Sequence, residues 1–184
     1  MLAGAVAVVA AAGAAAAESA HLRAAAIGLP RKTGRVLHDG DDWTRCERGH
    51  KHWGRYGAAG LLLAAPGPTV LLQHRAPWSH HGDTWGVPGG ARARQESAVE
   101  TALREASEET GLTTTSLVVT GDLVDDHGGW AYTTVLATAQ EQLAVHALDR
   151  ESTDVRWVEL GAVGQLPLHP GFAATWPDLR ALLG

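Results

Sequence analysis

Three carboxylates, Glu105, Glu108 and Glu109, lie in one stretch from Gly90 to Leu112 whose other fixed points are Gly90, Glu96, Arg104 and Gly111. If the segment is helical, the i, i+3, i+4 spacing puts all three acids on one face. Carboxylates that close repel one another unless cations sit among them. Hard oxygen donors that leave room for water and a substrate phosphate suit Mg²⁺ or Mn²⁺. Arg104 can bond Glu96 or one of the clustered glutamates and so hold the group in shape. Gly89 and Gly90 let the backbone come close, where a bare carbonyl can add a further ligand.

The element that must position these groups is a helix from Ser97 to Thr110. Its apolar stripe is Ala98, Val99, Ala102, Leu103 and Ala106, beside the acidic face. Ser97 or Gln95 can start it, and Gly111 suits the left-handed residue that ends it. The competing interpretation is a solvated acidic helix with ordinary i,i+4 pairs, which would suffice for Glu108 and Glu109 alone. Trp85-Gly-Val-Pro-Gly-Gly90 ahead of the helix, together with the full spacing inside it, favours a functional site.

The same stretch resembles the Nudix box of the Nudix hydrolases at every defined position, with Ala106 and Leu112 in the two apolar slots. Outside the box, Leu72 to His80, Arg150-Glu-Ser152, Arg156-Trp-Val158 and Leu166 to Phe172 resemble an actinobacterial MutT-like group of that family, so the likeness runs from about Gly57 to the C-terminus. The resemblance implies an α/β protein with the Nudix fold, an α/β/α sandwich around a mixed β-sheet with the box as loop-helix-loop. It implies hydrolysis of a nucleoside diphosphate linked to another group, with Mg²⁺ (Mn²⁺ as the alternative) as cofactor. Glu105, Glu108, Glu109 and the Gly90 carbonyl would be the metal ligands. Glu105 or Glu151 would be the general base, Arg104 would brace the cluster, and Glu96 and Gly111 would be structural. Arg75 and His80 would sit near the substrate phosphates, and His169 where a side chain reads the purine edge. For His80 and His81 a solvent-facing loop is an equal alternative, and for Glu151 a solvated loop acid is.

Substrate follows less directly, because the box handles only the pyrophosphate. The proline that ADP-ribose hydrolases carry beyond the box is replaced by His127 and Gly128, and the run that marks NADH pyrophosphatases is missing. MutT-like hydrolysis of a (deoxy)nucleoside triphosphate, such as 8-oxo-dGTP to 8-oxo-dGMP and pyrophosphate, is therefore the default. The alternatives are an ADP-ribose or dinucleotide pyrophosphatase, and a non-catalytic domain that senses a nucleotide. Retention of Glu105 argues against the last.

Composition agrees with a small-molecule enzyme. The chain has 184 residues, 45% hydrophobic and 19% charged, with a net charge of −5. That gives no basic surface to grip a nucleic-acid polymer. A monomer or homodimer acting on a nucleotide is expected, and the single cysteine, Cys46, fits a reducing, cytoplasmic setting. Residues 1–30 are alanine-rich and read as a helix or flexible extension rather than a signal peptide or membrane span, leaving residues 31–184 as the Nudix domain. Cys46, His50 and His52 invite a zinc interpretation. Structural zinc normally takes four ligands from two separated pairs, so this stretch reads as a surface loop running into the first strand.

Strands are expected at Gly57 to Ala64, Thr69 to Arg75, Ser116 to Asp126, Trp130 to Ala137 and Asp154 to Val158. His127-Gly-Gly129 makes a hairpin turn, and Gln140 to Arg150 reads as a loose polar connection. Trp78 and Trp85 read as core or loop anchors. A closing helix from Pro170 to Leu183 carries Phe172, Ala173, Trp176, Leu179 and Leu183 at helical spacing as core.

Overall fold

The computed structural model describes residues 38–184, so the expectations for residues 1–30 lie outside the described residues. A short hairpin, β1 (Trp43–Arg45) and β2 (Lys51–Trp53), comes first. Then follow β3 (Ala58–Ala65), β4 (Thr69–Arg75), β5 (Trp85–Gly86) and β6 (Gly89–Ala91), and helix α1 (Ala98–Thr110). The hairpin β7 (Val118–Asp126) and β8 (Ala131–Thr138) leads to β9 (Ser152–Glu159), the short α2 (Leu160–Val163) and the closing α3 (Pro170–Leu182).

β3 is buried along almost its whole length, because its run Ala-Ala-Gly-Leu-Leu-Leu-Ala-Ala packs on both faces. It pairs parallel with β8 and antiparallel with β4 and β6, which makes the sheet mixed. β3 and β4 are paired only near their turn, at Ala64 with Val70 and Ala65 with Thr69. Beyond it they diverge, β4 pairing with β9 and β5, and β3 with β8 and β6. The segment Trp85–Ala91 is thus shared between the two diverging strands and delivers Gly90 to the start of the box.

Strand alternation sorts the core into two layers. Leu61, Leu63, Leu71, Val135 and Ala137 face α1, packing with Ala102, Ala106 and Leu112. Leu62, Val70, Leu72 and Leu136 face the other way, onto Val163, Phe172, Trp176 and Leu179 of the C-terminal helices. Helices on both faces of one mixed sheet make the α/β/α sandwich.

Some sequence expectations need correction. The stretch before Gly54 is not merely a loop: Trp43, Thr44 and Arg45 pair with Trp53, His52 and Lys51. Trp78 is 73% exposed, so it anchors nothing in the core, whereas Trp85 is buried under the Arg156 guanidinium, 4.3 Å from the ring centre. Ala173 faces solvent because α3 buries only the narrow stripe Phe172, Trp176 and Leu179.

Candidate active site

α1 begins at a capping box. Ser97 Oγ accepts from the Glu100 backbone N–H at 3.2 Å, and the Glu100 carboxylate accepts from the Ser97 N–H at 2.8 Å. It ends at Gly111, which has φ +70° and donates back to the Ser107 carbonyl. Between these caps Ala102 and Ala106 bury one face in the core, which fixes the rotation of the helix and aims Glu105 and Glu109 toward β6, while Glu108 stays more exposed beside Arg104.

Arg104 is the hub of the cluster. Its guanidinium grips Glu96 with two bonds of 2.7 and 2.9 Å, reaches Glu105 at 2.7 Å and Glu108 at 3.5 Å, and donates to the Ala91 carbonyl at 3.1 Å. Glu96 also accepts from the Ala93 N–H and from the hydroxyl of the buried Thr101. The Arg104 hydrogen bonds, followed by those other donors, hold the Glu96 carboxyl down at about 2. This tie fastens the loop before α1 to the middle of the helix.

Gly90 must be bare. A Cβ there would stand 2.5 Å from the Glu105 carboxyl carbon, so the Glu105 carboxylate rests directly on the backbone of β6. Glu109 is 7% exposed and accepts from the Gly89 N–H at 2.9 Å. Burial first, then the charges of Glu105 and Asp149, push its carboxyl well above the ordinary range. A buried acid crowded by two others is a donor set of hard oxygens that a small divalent cation would neutralise. The residues present fit Mg²⁺ or Mn²⁺.

Asp149 escaped the sequence analysis. The connection after β8 is pinned at both ends, with the Leu148 N–H on the Glu109 carbonyl at 2.9 Å and the Ala76 N–H on the Glu151 carbonyl at 2.7 Å. Asp149 caps the turn between them, accepting from the N–H groups of Glu151 and Ser152. Glu151 is therefore held by its backbone against the end of β4, in the loop that also brings Asp149 toward Glu109. The signal was local, Asp-Arg-Glu-Ser, but its meaning depends on where Glu109 ends up.

Arg75 closes β4 just past a register shift and donates to the His80 carbonyl at 3.1 Å. Its charge bears on Glu109 on one side and on His80 and His169 on the other, so it stands between the carboxylates and a histidine group. In that group the ring centres of His80 and His81 are 4.1 Å apart, and those of His81 and His169 4.8 Å. His81 and Asp83 both take positive φ, so the 76–84 loop is held in a conformation that costs energy. His169 caps α3, accepting from the Gly171 N–H, while its own N–H bonds the Trp85 carbonyl at 2.8 Å. Burial, then the charges of His81, Arg75 and His80, lower its pKa to about 4. The structure thus brings Arg75, His80 and His169 to one edge and the box carboxylates to the adjoining one.

The NUDIX domain profile matches residues 54–179. Over 161 residues the chain is 51% identical to a Mycobacterium tuberculosis protein named "Putative 8-oxo-dGTP diphosphatase 3", a match covering 82% of this chain and 74% of that one. It is 44% identical over 156 residues to the "Nucleoside triphosphate pyrophosphatase/Nudix hydrolase fusion protein" of Bifidobacterium longum, covering 80% of this chain and 32% of the fusion. A solved Nudix hydrolase from M. smegmatis, RenU, superposes with a TM-score of 0.73 at 48% identity, over 78% of this chain and 95% of that one. With the box assembled on α1 and the family match spanning most of the chain, this protein belongs to the Nudix hydrolases.

Proposed function

We propose that the chain cleaves the diphosphate linkage of a (deoxy)nucleoside triphosphate, releasing the monophosphate and pyrophosphate, with 8-oxo-dGTP as the first substrate to try. The observation that carries the reading is the Arg104-braced carboxylate cluster resting on bare Gly90. The printed name of the mycobacterial relative at 51% identity supports the choice of substrate.

Glu105, Glu108, Glu109 and the Gly90 carbonyl would hold Mg²⁺, or Mn²⁺ in its place. Bound there, the cation would neutralise charge on the bridging and leaving phosphate oxygens. Arg104 holds the Glu105 carboxylate in place through its 2.7 Å bond. Arg75, whose charge bears on Glu109, would bind a phosphate oxygen, and His80 and His169 would border the base. The proton of the attacking water would go to Glu105 or to Glu151. A reducing cytoplasm suits the lone Cys46 thiol.

Single Gln variants separate the two acids. Glu105→Gln is expected to cut kcat by about 10²–10⁴-fold with an unchanged circular dichroism spectrum. If Glu151→Gln shows the larger loss and a bell-shaped pH profile loses its acidic limb only there, the base is Glu151. Wild-type rates in both would refute the reading.

A further inference from the structure

Away from the carboxylates, the hairpin β1–β2 and the turn between β7 and β8 bring four metal-binding side chains together. The pairs Thr44 with His52 and Arg45 with Lys51, continued by the Cys46 N–H on the His50 carbonyl at 3.1 Å, set the register. Paired residues share a face and side chains alternate along each strand, so Cys46, His50 and His52 all project to one side. His127 arrives on that side from the other hairpin. The two turns are tied by the Glu47 N–H on the Gly128 carbonyl and by Arg48 on the Asp126 carbonyl, each at 2.8 Å.

The donor atoms of Cys46, His50, His52 and His127 lie within 4.8 Å of one another. The edges of a tetrahedron built with zinc bonds of about 2.0–2.3 Å measure roughly 3.3–3.6 Å, so small side-chain rotations close the set. Two of the donors are otherwise unexplained. His52 Nε2 and His127 Nδ1 are buried without a hydrogen-bond partner, a condition that costs about 1–3 kcal/mol per group. Cys46 is 6% exposed. His127 presents its other nitrogen, Nε2, to Asp125 at 3.0 Å, which fixes the tautomer and leaves the unpartnered Nδ1 with a lone pair for a metal. His52 is also held flat against Trp130, ring centres 3.9 Å apart and planes within 9°.

We propose that Cys46, His50, His52 and His127 bind one zinc ion in a closed, four-ligand structural site. One thiolate and three imidazoles are borderline-soft donors that suit Zn²⁺ and not the hard cations expected at the glutamates. The ion clamps the N-terminal hairpin to the β7–β8 turn. It thereby seats Trp43, whose ring lies edge-on to His80 at 5.5 Å, beside the loop that borders the candidate substrate site.

The test is metal analysis of the untagged, full-length chain. Protein dialysed against a mild chelator should keep one zinc per chain. Stripped and refilled with Co²⁺, it should show tetrahedral d–d absorption together with a thiolate-to-cobalt charge-transfer band, and C46S should lose that band. Asp125→Asn leaves all four ligands in place and should weaken zinc binding about 10–100-fold in chelator competition. Wild-type protein that holds no zinc and gives no charge-transfer band would overturn the proposal. So would C46S and H127A proteins that bind zinc as tightly as wild type. The cobalt spectrum of the wild-type chain needs no variant, so a variant that fails to fold leaves the test intact.

Discussion

At Gly90 one added methyl group would land on the Glu105 carboxylate. Gly90→Ala is therefore expected to lower kcat/KM by about 10²-fold, the scale of an ångström-sized misplacement, while a Mg²⁺ thermal-shift titration shows weakened binding. Glu96 makes a prediction in pH. Its carboxyl is lowered from 4.5 to about 2 in the folded protein, mainly by Arg104. A depressed pKa contributes stability that is complete above the unfolded value and lost as pH falls from about 4.5 through about 2. In urea denaturation, Glu96→Gln should cost about 1–2 kcal/mol at pH 7, after allowance for solvent screening, and progressively less below pH 4.5. A difference that stays constant down to pH 3 would contradict this. The acids of the box were legible in the sequence because their spacing follows one helix. Asp149 and His127 were not, since each gains its neighbours only when segments remote in sequence meet.

Among the elements, α1 was legible almost to the residue because its stop and start are chemical. Ser97 with Glu100 makes the cap, and Gly111 takes the left-handed turn. Ser97→Ala should cost about 1 kcal/mol, measured by denaturant titration, with a smaller effect on kcat than Gly90→Ala. The β1–β2 hairpin was illegible for the opposite reason. Its strands are three residues each, carry no apolar alternation, and are held by contacts to Gly128 and Asp126 that no local pattern announces. The connection after β8 looked slack on composition, yet hydrogen bonds to Glu109 and Ala76 pin it.

Over the whole molecule, β3 carries both cores, and its successive leucines alternate between the two layers. The layers could be foreseen from the apolar runs, but the divergence of β3 from β4 could not, because it depends on which strands β6 and β9 choose. That divergence puts Arg75, at the end of β4, and Gly90, in β6 alongside β3, on separate strands. Among the described residues no helix is long and apolar enough to cross a membrane. The measurement that bears most directly on the account is product release by the full-length chain with Mg²⁺, across 8-oxo-dGTP, canonical dNTPs, ADP-ribose, NADH and diadenosine polyphosphates. Turnover of the triphosphates is expected, strongest for 8-oxo-dGTP, yielding monophosphate and pyrophosphate and falling by about 10²–10⁴-fold in Glu105→Gln. Preference for ADP-ribose or a dinucleotide would keep the carboxylate chemistry and overturn the substrate. Nucleotide binding with no turnover of any compound would contradict the central claim.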